Sequence, residues 1–116
     1  MSKRFYLLLA PLVLAGCAND PAPLAQMRLT DQAIEQAQAV GTADEDQNLA
    51  LARAKAAQAR AAVAAQRFKE ARLDAEQAEL DARLAEAQEL NRKSADRVAQ
   101  ASAKLVRLRK QLEEEQ

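Results

Sequence analysis

The chain has no histidine and no tryptophan, one cysteine, two glycines and three prolines among 116 residues. Without imidazole there is no Ser-His-Asp or Cys-His nucleophile, no His-ligated zinc and no Glu-x-x-His di-iron site. Aromatic residues make up 3% of the sequence, too few to line a ligand pocket with rings. An excess of charge of one sign is also missing. Lys+Arg 17 balance Asp+Glu 17, so the chain lacks the net basic surface with which a dedicated nucleic-acid binder displaces counterions. No activated nucleophile or tuned acid–base pair is visible. The composition therefore predicts a protein that is not an enzyme and uses no cofactor.

What is present begins with an address. Lys3 and Arg4 precede an uncharged apolar run from Phe5 to Leu14, interrupted only by Pro11. At about ten residues this run is half of the roughly 20 that a helix needs to cross a bilayer, and it reads as a secretory signal. Leu14-Ala15-Gly16-Cys17 then resembles a bacterial lipobox, in which two small residues fit a peptidase site and the thiolate accepts the lipid. The resemblance implies cleavage between Gly16 and Cys17, a diacylglycerol thioether on the Cys17 sulfur and an acyl chain, such as palmitate, on its new amine. Each buried CH₂ contributes about 0.8 kcal/mol, so one chain anchors marginally and two or three hold firmly. The only cysteine is consumed, and no disulfide remains. Ala18 follows Cys17, where enterobacterial inner-membrane lipoproteins carry Asp; by that analogy the chain belongs on the outer membrane, facing the periplasm.

Residues 1–16 thus form a signal peptide, 17–28 the lipidated cysteine with an extended linker rich in Pro21 and Pro23, and 29–116 a helical domain. Removing residues 1–16 takes away two cations, leaving a net charge of −2. Thr30 is a candidate cap for a first helix over about 30–40, with Leu29 stapled onto Ile34. Gly41 is a natural left-handed stop. Thr42-Ala43-Asp44-Glu45 forms a capping box for a second helix. Beyond Gly41 there is neither glycine nor proline, and strong helix formers dominate. The fold class is all-α.

A stripe with alternating steps of four and three runs through Ala50, Ala54, Ala57, Ala61, Ala64, Phe68, Ala71, Ala75, Ala78, Ala82 and Ala85. It is a coiled-coil seam built from the smallest apolar side chain, and it predicts close backbone-to-backbone packing. Beside it lies a broken row of Leu49, Val63, Leu73, Leu80 and Leu84. After Ala85 the stripe resumes in another phase through Ala87, Val98, Ala101, Leu105, Leu108 and Leu112, with Asn91 and Ser94 as polar members. Arg53, Lys55, Arg60 and Arg67 make the first part of the segment basic; Glu70, Asp74, Glu76, Glu79, Asp81, Glu86 and Glu89 make the next part acidic. Folding the chain back near Arg67 predicts a hairpin of helices over 43–66 and 69–112. Its expected pairs are Arg60 with Asp74, Lys55 with Glu79 and Arg53 with Asp81. The alternative is one continuous rod of about 110 Å, which needs a second chain to cover its Ala face.

The stretch from Ala65 to Ala87, with Gln66-Arg67-Phe68-Lys69-Glu70-Ala71 at its start, resembles the central motif of the DUF4398 family of bacterial lipoproteins. Ala33-Ile34-Glu35-Gln36-Ala37 and Gly41 are similar to that family's opening helix, and the likeness covers about residues 28–112. The resemblance implies a short N-terminal helix followed by a hairpin that breaks near 66–69. Phe68 stands where members carry the aromatic of a Gly-Asp-aromatic turn, and the turn glycine is missing here. In size and helicity the chain also resembles murein-type lipoproteins, but it ends in Gln116 rather than the Lys through which those are joined to the cell wall.

Glu70 with Asp74, and Glu86 with Glu89, place carboxylates on one helical face; such pairs on Ala-rich helices read as a solvated surface, and no metal site is expected. Arg92, Lys93, Arg97, Lys104, Arg107, Arg109 and Lys110 form a basic tail with Asp96 as its acid. The tail suits contact with anionic headgroups, the acidic cell-wall polymer or an acidic protein. The function expected is that of a lipid-anchored periplasmic protein with a structural or protein-interaction role, through self-association or an envelope partner. The alternative is an accessory or regulatory subunit of a cell-wall or lipid-trafficking complex.

Overall fold

The computed structural model describes residues 20–115. The signal segment, Gly16 and Cys17 lie outside them. Three helices follow one another: α1 Leu24–Ala39, α2 Gln47–Ala64 and α3 Phe68–Glu114. The architecture is the expected one, a short first helix on a long helical hairpin. It is not a continuous rod.

Helix α1 starts earlier than its sequence implies. Pro23, which has no N–H to satisfy, sits at the N-cap, and Leu24 is already helical. The extended linker therefore ends at Pro23 rather than residue 28. Thr30 caps nothing. It lies inside α1, buried, and its hydroxyl faces the carbonyls of Gln26 at 3.0 Å and of Ala75 at 2.8 Å. Leu29 makes no staple, being 47% exposed.

The two turns share one geometry. Gly41, at φ 87°, follows the α1 C-cap; its N–H donates to the Gln38 carbonyl, and the Thr42 N–H donates to the Ala37 carbonyl. This is a Schellman motif with glycine in the left-handed position. At the hairpin, Gln66 takes that position at φ 59°, with its N–H on the Val63 carbonyl and the Arg67 N–H on the Ala62 carbonyl. The chain thus turns where the sequence offers no glycine. Thr42 spends its backbone N–H on the end of α1, and its buried Oγ1 caps no helix. The cap is Asp46, whose Oδ1 accepts from the Leu49 N–H at 2.9 Å, and the Thr42-to-Glu45 box does not form.

Helix α2 runs antiparallel to both neighbours, so α1 and α3 are parallel. Ala33 meets Ala52 and Ala82, and Ala37 meets Leu49 and Ala85, with Ile34 against both groups. Among the described residues the buried apolar core is eleven alanines and Leu49. Alanine at every contact lets helix axes approach to the short end of the usual range of about 8–10 Å. Each methyl adds far less than the roughly 1.5–3 kcal/mol of a buried leucine. Bonds between helices therefore matter more here than in a leucine core.

Candidate interaction surface

On α3 the expected seam residues Ala71, Ala75, Ala78, Ala82 and Ala85 are all buried, and Phe68 is half-buried at the hairpin end. On α2 the structure corrects the register. Ala50, Ala54, Ala57, Ala61 and Ala64 are exposed; the buried row is Leu49, Ala52, Ala56, Ala59 and Ala62. Alanine occupies both rows, so spacing alone does not choose between them. Leu49 and the half-buried Val63 decide the matter, because turning them inward removes more apolar area from water than two further methyl groups.

The ion pairs shift with the register. Lys55 meets Asp81 at 2.7 Å, and Asn48 donates to Gln88 at 2.9 Å. The hairpin is thus offset by two residues from the charge pairing expected of it. Arg60 pairs with Asp31 on α1 instead of Asp74, and Arg53 with Asp44 at 2.6 Å instead of Asp81. The basic first part of the hairpin serves two neighbours, and sequence reasoning assigned it one.

Side chains of α3 hold α1 in place at both ends. Near its start, Gln26 donates to Glu79 Oε2 at 2.6 Å, while Arg83 pairs with Oε1 at 2.6 Å. The Gln26 hydrogen bond, reinforced by Arg83, holds the Glu79 carboxyl below its ordinary value of 4.5 against the opposing effect of desolvation. At the far end, Lys93 Nζ donates to the Val40 carbonyl. A cation thus sits on the C-terminus of α1, where the helix dipole favours it. Gly41 leaves room for it: a Cβ there would stand 3.1 Å from Lys93 Nζ. Glu89 is gripped by the Arg92 fork at 2.7 and 2.9 Å, which lowers its pKa and raises that of Arg92.

Both perturbed carboxylates are held as anions by donors. A general acid needs the opposite shift. Glu70, expected on a carboxylate face with Asp74, is bound by Arg67 at 2.8 Å. Among the described residues no cluster of three or more Asp, Glu, His or Cys side chains is disposed to hold a metal ion, and no helix is long and apolar enough to cross a membrane. A shallow depression at the hairpin end is lined by Asp20, Gln66, Phe68, Leu73 and Glu76. It places the start of the described chain beside the hairpin turn.

Two stretches of α3 stand uncovered among the described residues. From Ser94 onward every described residue of α3 is exposed, so at about 1.5 Å per residue the helix projects roughly 30 Å beyond the bundle. The face of α3 turned away from α1 and α2 is also exposed, with Leu73 at 54%, Leu80 at 66% and Leu84 at 47%.

An antiparallel alanine hairpin with a first helix laid along it defines an all-helical class of domain of unknown function, and the comparison with solved structures identifies it. A crystal structure of a DUF4398 family protein from Pseudomonas aeruginosa PAO1 is 56% identical, with a TM-score of 0.80, over 83% of this chain and 100% of that one. The chain belongs to the DUF4398 family. No family model and no curated protein matches it. The fold and the family are both consistent with a protein that performs no catalysis.

Proposed function

We propose that this chain is a lipid-anchored lipoprotein of the bacterial envelope, tethered through Cys17 to the outer membrane on its periplasmic side. Its role on this reading is structural or protein-binding rather than catalytic. One observation carries the reading: the lipobox cysteine lies three residues before Asp20, and Asp20 lies at the hairpin end of the bundle. A lipid there would hold that end against the bilayer. The α3 extension, with its basic side chains, leaves from the opposite end and would point away from the attachment. Ala18 after the cysteine favours the outer over the inner membrane.

The test is Cys17→Ser in cells fed labelled palmitate. The variant should take up no label, remain as an uncleaved precursor and lose its normal place in the outer-membrane fraction. Normal labelling and fractionation of the variant would overturn the anchor.

A further inference from the structure

We propose that α3 pairs with α3 of a second copy, antiparallel, through the face opposite the alanine seam. This deepens the protein-interaction reading and rests on it, but it does not need the lipid. Structure turns what looks in the sequence like two broken rows into one. Leu73, Gln77, Leu80, Leu84, Ala87, Asn91, Ser94, Val98, Ala101, Leu105, Leu108 and Leu112 follow one another by strict steps of four and three, and all twelve are exposed. The row runs unbroken from the bundle into the projecting extension, over roughly 58 Å at about 1.5 Å per residue. A 3.5-residue repeat of this length calls for a partner helix that supercoils with it.

Charge and pattern together choose the partner. Residues 68–90 carry a net charge of −4 and residues 91–112 a net charge of +6. A parallel pair sets like against like along the whole length. An antiparallel pair sets the acidic half of each copy on the basic half of the other.

The apolar row independently admits the same alignment. Centred between Arg92 and Lys93, it places Leu73 opposite Leu112, Leu80 opposite Leu105, Leu84 opposite Ala101 and Ala87 opposite Val98. Asn91 then meets Ser94 of the partner at the twofold axis, so the two polar positions near the middle of the row face each other. Gln77 is left opposite Leu108. On one flank Asp74 faces Arg109; on the other Lys104 lies nearest Arg83, whose guanidinium is already paired with Glu79. The extension of each copy comes to rest on the uncovered back of the other's bundle.

The experiment uses the full chain in intact cells, with a photo-cross-linking benzoylphenylalanine placed at position 105. The expected product is a dimer in which position 105 is joined to the segment around Leu80. Those two sites lie roughly 38 Å apart within one helix, at about 1.5 Å per residue, so the link cannot form inside one copy. Leu80→Glu, at a position 66% exposed, should leave helicity intact and reduce the dimer adduct at least fivefold. A link to the partner's own 105 region, a link only to a different protein, or no adduct at all would each overturn the antiparallel pair. The hetero-protein result would leave the protein-interaction reading standing, and loss of palmitate labelling has no bearing on this test.

Discussion

Gln66 is the residue under most conformational stress among those described, since it is the one non-glycine with positive φ. A side chain in the left-handed region costs about 1–2 kcal/mol, and glycine returns part of that gain through the greater freedom of the unfolded chain. Gln66→Gly should therefore stabilise the fold by about 0.5–1 kcal/mol, seen as a higher midpoint in urea with an unchanged slope. A lower midpoint would mean that the Gln66 side chain contributes something its backbone position does not reveal. At the same scale, Thr30 shows how a small polar group enters an alanine core. Its hydroxyl satisfies itself on carbonyls of two helices, and nothing in a hydropathy pattern distinguishes it from a cap.

Both helices of the hairpin are legible in the sequence, but only α3 shows there which face it buries. Acidic and leucine positions frame a single alanine row on α3, whereas α2 carries alanine on two neighbouring rows and leaves the choice to Leu49 and Val63. The turn at 65–67 could be placed from the switch of basic to acidic character and from the family likeness, not from a breaker residue. The start of α1 is masked in the sequence because Pro21 and Pro23 have the composition of a linker, whereas Pro23 stands at the threshold of a helix. The α2 register is open to a paired substitution. Ala56→Leu forces a bulky side chain into the seam and should cost about 1–3 kcal/mol. Ala57→Leu, on the exposed row, should stay within about 0.5 kcal/mol. Thermal melts of the two variants separate the registers; equal losses would refute the structural assignment.

Taken as a whole, the molecule joins a thin alanine bundle with polar ties, and the acid limb of its stability should report them. Glu79 has a folded pKa below its ordinary value of 4.5, so its contribution is complete above that value and is lost as pH falls through the lower, folded one. Tm should hold steady from neutral pH down to about 5 and decline below it, with a shallower decline in Gln26→Ala because that variant removes the main cause of the shift. An identical pH profile in the variant would show that the Gln26 bond does not govern this acid. The chain's departure point adds a last consequence. Since Asp20 sits by the hairpin turn, two copies paired head to tail would carry their attachments at opposite extremities, several nanometres apart. Such a pair cannot stand upright on one bilayer with both feet planted. It must either recline along that surface as a girder or reach across to a second one as a staple.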